Sequence, residues 1–167
     1  MAEFDIEVEQ LNVSYEEDHD LGMEEIARQS AKKMSDKLGK PVMVDDTGVF
    51  IDHYNNFPGP LAKFAFKNLG YEGLFKLLDG VDPKGHFETA AAYCKPQGEP
   101  EVFLGRMEGK FIIKKDLEDA GFMPYMQIFI PTGFDKVISD LNIEEKNSIS
   151  HRAVAFRKLG QYIKSKS

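Results

Sequence analysis

The sequence predicts an α/β fold, a mixed β-sheet flanked by helices. Three observations predict it. Apolar runs of strand length alternate along the chain with segments of helical periodicity. The 167 residues suit a single domain, residues 1–167, with one sizeable core. No repeat, low-complexity stretch or interdomain linker interrupts them.

Phe4, Ile6 and Val8 alternate with Asp5, Glu7 and Glu9, the pattern of a half-exposed strand. Glu16 to Asp20 form an acidic loop. Met23, Ile26, Ala27, Ala31, Met34 and Leu38 recur at helical spacing, and Gly39 stops that helix. Pro41 to Asp45 reads as a short buried strand, Thr47-Gly48 as a turn, and Val49 to Ile51 as a further apolar run. Phe57-Pro58-Gly59-Pro60 is a turn signal. Two helices follow, Leu61 to Leu69 and Tyr71 to Leu78, punctuated by Gly70 and Gly80. Phe87 to Tyr93 and Val102 to Ile113 read as strands joined by the loop Lys95 to Pro100. Residues 114–135 read as irregular, and a final helix runs from His151 to Ile163.

Hydrophobic residues make up 42% of the chain and charged residues 29%, a mix that excludes a disordered protein. The net charge of -7 disfavours nonspecific nucleic-acid binding, because an acidic surface releases no counterions from a phosphate backbone. A small phosphorylated ligand is compatible with it, since a local cationic cleft or a metal overrides net charge. The one cysteine, Cys94, cannot form an intrachain disulfide and points to a reducing, cytoplasmic setting. The N-terminus is acidic and carries no long apolar run, so neither a signal peptide nor a membrane span is expected.

Asp45-Asp46-Thr47-Gly48 follows an apolar strand directly. Carboxylates at the carboxyl end of a strand face the crevice where α/β folds place ligands, and their hard oxygens suit Mg2+. The same residues make an ordinary solvated turn equally well. Ser150-His151-Arg152 opens the last helix, where free backbone N–H groups and cationic side chains hold an oxo group or an anion. The commoner use of such a tripeptide is a serine cap followed by surface residues. Lys146 and Asn147 lie just upstream. Phe122 and Tyr125 are placed either to stack on a base or to fill the core.

In order, these segments resemble one family. Val44 to Ile51 followed by Phe57-Pro58-Gly59 resembles the (D/E)D(S/T)G-L…PG signature of the inosine/xanthosine triphosphate pyrophosphatases, the Ham1-like NTP pyrophosphatases, in their archaeal form. Glu144 to Ala153 resembles the family's EEKNxxSHRxxA signature, and Gly105 to Phe111 resembles its G-x-x-x-G-x-(I/F) strand. The resemblance implies an elongated mixed sheet in two lobes with a nucleotide-binding cleft, in a homodimer. It implies hydrolysis of ITP, XTP or dITP between the α and β phosphates, giving the monophosphate and pyrophosphate. Glu17 and Asp46 would then hold Mg2+ and the attacking water, with Asp45 assisting catalysis. Lys146, Ser150, His151 and Arg152 would read the base, with Phe122 and Tyr125 beside it.

Two departures bear on activity. No stretch here matches the family's T-x-x-N-x-x-K loop, which grips the triphosphate; the chain begins at what resembles the second strand. Gly121 to Phe129 stands where the family has G-F-G-(Y/W)-D-P-(I/C)-F, one residue longer and without the aspartate. An active pyrophosphatase is the reading taken, and a catalytically impaired relative that binds nucleotide or only dimerises is the alternative.

Overall fold

The computed structural model describes residues 1–11, 21–115, 117 and 123–166. Strands β1 (Val42–Ile51), β2 (Phe57–Gly59), β3 (Lys84–Cys94), β4 (Glu101–Phe111) and β5 (Phe129–Pro131) form a five-stranded sheet in the order β2-β1-β3-β4-β5. Helices α1 (Met23–Leu38), α2 (Ala62–Leu78), α3 (Ile143–Ile149) and α4 (His151–Ser165) complete the α/β fold, with helices flanking the sheet as the sequence predicts. The chain groups into two compact units. The first comprises Met1–Thr47, Thr89–Gly105 and His151–Ser167, and the second Gly48–Glu88 and Arg106–Ser150.

In the first unit, α1 buries Met23, Ile26, Ala27, Ala31 and Met34, the stripe that the spacing predicts. Gly39 ends it in the left-handed region at φ 65°, its N–H donating to the Ser35 carbonyl. Helix α4 lays Ala155 and Leu159 on Ala91, with Met43, Phe103 and Ile163 around them. The expected strand Phe4 to Val8 is absent. Ala2–Phe4 is a 3-10 turn, Asp5 adopts φ 52°, and Val8 is exposed. Phe4 packs instead on α4, where a Cβ on Gly160 would meet its ring at 2.3 Å.

In the second unit, Val49, Ile51, Leu74, Leu78, Phe87, Phe111, Ile128 and Phe129 share one core. The two expected helices are both present within α2, parted where Gly70 leaves helical geometry at φ 59° and ψ −170°. Thr47-Gly48 is no turn: β1 runs through it to Ile51. Gly48 is extended there because the Phe50 ring lies across it, so close that a Cβ would sit 2.6 Å from Cε2. The irregular stretch 114–135 contains a 3-10 turn, Pro124–Gln127, and β5, which pairs antiparallel with β4 through Phe111 and Phe129. Helix α3 is a further departure from expectation, set by a capping box between Asn142 and Glu145.

Candidate functional site

The β-branched Val42 and Val44 start β1, and the strand carries Asp45 and Asp46 in mid-course rather than at its carboxyl end. Successive side chains of an extended strand point to opposite faces, so the two carboxylates diverge. Asp45 Oδ2 pairs with Arg152 Nε at 2.9 Å, the carboxylate half-buried and the arginine exposed. Asp46 Oδ1 accepts the Thr47 backbone N–H at 2.9 Å. The Thr47 hydroxyl meets that of Thr89 on β3 at 2.7 Å, and Thr89 is fully buried. This cross-strand hydroxyl pair ties β1 to β3 one residue beyond the carboxylates.

Arg152 reaches Asp45 because α4 starts close against the sheet. Gly105 on β4 lies under its first turn: a Cβ there would stand 2.0 Å from the His151 carbonyl oxygen and 2.6 Å from the Ala155 nitrogen. Lys158 donates to the Leu104 carbonyl at 2.6 Å and fixes the helix one turn further on. His151 is buried, and burial, helped by the neighbouring Arg152 charge, holds its pKa down at about 4. Its imidazole is therefore neutral near pH 7, able to donate at one ring nitrogen and accept at the other.

The other expected site residues belong to the second unit. Tyr125 is a core residue there: its ring is buried near Phe66, its hydroxyl donates to the Ala62 carbonyl at 3.0 Å, and burial raises its pKa. Of the two placements the sequence offered it, stacking on a base or filling the core, the described structure has it filling the core. Lys146 is half-buried on α3 and donates to the Ser139 carbonyl at 3.1 Å. Ser150 closes α3 at its C-cap. Glu17 and Phe122 lie outside the described residues.

Sequence reasoning did not single out Thr89 or the seat provided by Gly105. Thr89 carried no signal, being one threonine inside an apolar run. Gly105 stood in a strand motif that resembles the family's, and nothing in the sequence said what would rest on it. Among the described residues no three His, Cys, Asp or Glu side chains gather as a metal cluster. Mg2+ asks for less, taking one or two carboxylates and the ligand's own phosphates, and the half-buried Asp46 supplies such an oxygen donor. No helix among the described residues is long and apolar enough to cross a membrane.

The fold and this site define a class: an α/β protein with adjacent carboxylates inside a strand, one of which pairs with an arginine at a helix start. The comparisons narrow the class. The sequence profile of the Ham1 family matches residues 1–162. A dITP/XTP pyrophosphatase of Methanopyrus kandleri is 39% identical over 99% of this chain and 87% of its own length. One from Thermococcus kodakarensis is 38% identical over 95% of this chain and 85% of its own length. The solved Ham1 protein of Staphylococcus aureus superposes with a TM-score of 0.78 at 28% identity, covering 92% of this chain and 82% of that one. The chain belongs to the Ham1 family.

Proposed function

We propose that this chain is a nucleoside triphosphate pyrophosphatase. It hydrolyses deaminated purine nucleoside triphosphates, ITP, XTP and dITP, to the monophosphate and pyrophosphate. The names of its relatives support the substrate class. The observation that carries the reading is the Asp45–Arg152 ion pair, which joins the carboxylate strand to the start of α4 within one compact unit. Asp46, with Glu17, would hold Mg2+, which would supply neutralisation of phosphate charge. Asp46 accepts the proton of the attacking water, a carboxylate's ordinary work as a general base.

The base is read at the α4 start. Hypoxanthine and xanthine carry an O6 acceptor where adenine has an amino group. Arg152 donates to O6, and the neutral His151 offers a further donor. Adenine at the same place leaves these donors without an acceptor, a mismatch that costs about 1–3 kcal/mol for each one that the base covers. The protein acts as a homodimer, supported by the exposed Phe57 and Phe64, and works in the cytoplasm. Pyrophosphate release from ITP, XTP, GTP and ATP with Mg2+ tests this reading. The 6-oxo purines are expected to lead ATP by at least tenfold, and equal rates would refute it.

A further inference from the structure

We infer that Asp45 is a positioning residue for Arg152 and stands apart from the metal-binding and proton-accepting work of Asp46. The inference rests on the proposed base-reading role of Arg152 and divides the labour of two adjacent carboxylates.

Geometry separates them. Both lie inside one continuous strand, so their side chains leave on opposite faces. Asp46 turns an oxygen to the N–H of Thr47, while Asp45 gives an oxygen to the Nε of Arg152 at 2.9 Å. The ion pair at Nε restrains the guanidinium while N–H donors remain on its terminal nitrogens. A long arginine side chain loses much rotamer freedom on ordering, so a carboxylate that holds it beforehand lowers the entropy lost on binding the base.

The fold spends a glycine on this contact. Asp45 on β1 and Gly105 on β4 are two strands apart, roughly 10 Å across the sheet. Arg152 spans that gap only because the α4 backbone rests directly on Gly105, with no room for a methyl group against the His151 carbonyl and the Ala155 nitrogen. Ala91 on the strand between is fully buried against Ala155, so the whole seat is built of small residues. A side chain at position 105 lifts the first turn and withdraws Arg152 from Asp45. Misplacement by about 1 Å is enough to matter at a binding site.

The experiment compares Asp45→Asn, Asp45→Glu, Asp46→Asn and Gly105→Ala with the parent. It reads kcat and KM for ITP and ATP, and the affinity of the nucleotide-free protein for Mn2+ alone by electron paramagnetic resonance. Asp45→Asn is expected to lower the preference for ITP over ATP about tenfold, mainly through KM, with Mn2+ affinity kept. Asp45→Glu restores the preference, because a carboxylate is again present. Asp46→Asn shows the opposite profile, losing kcat and Mn2+ binding. Gly105→Ala repeats the Asp45→Asn profile, and the double variant loses no more than the larger single one.

Loss of Mn2+ binding in Asp45→Asn equal to that in Asp46→Asn overturns the assignment, as does an unchanged ITP preference. Should Gly105→Ala fail to fold by circular dichroism, the Asp45→Asn and Asp45→Glu pair decides by the same two criteria. A parent protein with no ITP preference at all refutes the base-reading role itself, and the Mn2+ measurements still report whether Asp45 serves the metal.

Discussion

Burial of His151 makes the stability of this protein depend on pH between about 6.5 and 4. Its pKa is lowered from 6.5 to about 4 by burial and by Arg152, and only 8% of its surface is exposed. Above about pH 6.5 the imidazole is neutral in both folded and unfolded chains, and its contribution to stability is fully present. As pH falls from 6.5 towards 4, the unfolded chain takes up a proton that the folded chain refuses, so stability declines. Each pKa unit corresponds to about 1.4 kcal/mol, so the loss approaches about 3 kcal/mol and levels off below pH 4. Urea unfolding of the parent and of His151→Gln, at half-unit steps from pH 7.5 to 4, measures it. Carboxylates such as Asp36 and Glu145, whose pKa values are lowered by hydrogen bonds from backbone N–H groups, titrate in both proteins and cancel in the difference. The parent should lose about 3 kcal/mol relative to the variant between pH 7 and 4. Parallel curves would show that His151 takes up its proton without resistance and would refute the argument from burial.

Tyr125→Phe should cost about 1 kcal/mol, through the lost hydrogen bond to the Ala62 carbonyl, and leave KM for ITP unchanged; a raised KM would return Tyr125 to the substrate. Thr89→Val keeps the shape of a fully buried side chain but strips Thr47 of its hydroxyl partner, so about 1–3 kcal/mol of stability should be lost, and Thr89→Ser should recover part of it in thermal melts. Asp46→Asn should abolish pyrophosphate release while leaving the circular dichroism spectrum intact, and parent-like rates would remove Asp46 from the mechanism. Analytical ultracentrifugation at micromolar concentration should give a dimer mass, and a strict monomer would count against the homodimer.

The fold class was legible because its longer elements carry their own periodicity. Helix α1 buries the very stripe that its spacing marks, and Gly70 announces the kink in α2. The shorter elements were not legible. Strand β5 has three residues, too few for any alternation to show, and exists because β4 offers Phe111 as a partner for Phe129. The strand expected at Phe4 to Val8 failed for the converse reason. Alternation was present, but a helix, not a strand, provided the apolar neighbour for Phe4.

Thr47-Gly48 shows how local preference and tertiary structure compete. Threonine followed by glycine after two aspartates has the composition of a turn. In the structure glycine is there because an aromatic ring two residues on needs the space above it. Extending the strand by those residues changes the chemistry that the aspartates can perform. At a strand end followed by a turn, both carboxylates can converge on one ion. Inside a strand they must diverge, and each then answers to a different neighbour.

Those neighbours come from distant stretches of chain. The first unit is assembled from Met1–Thr47, Thr89–Gly105 and His151–Ser167, three segments that meet only on folding. Asp45, Thr89, Gly105 and Arg152 come from all three, and no motif of contiguous residues encodes their contact. A signature such as Asp45-Asp46-Thr47-Gly48 therefore names the groups available for chemistry without fixing their roles. The roles follow from what a fully buried threonine and a glycine seat permit each carboxylate to touch. On this argument the determinants of base choice extend beyond the side chains that would meet the base, to the two small residues, Gly105 and Ala91, that bring helix α4 down onto the sheet.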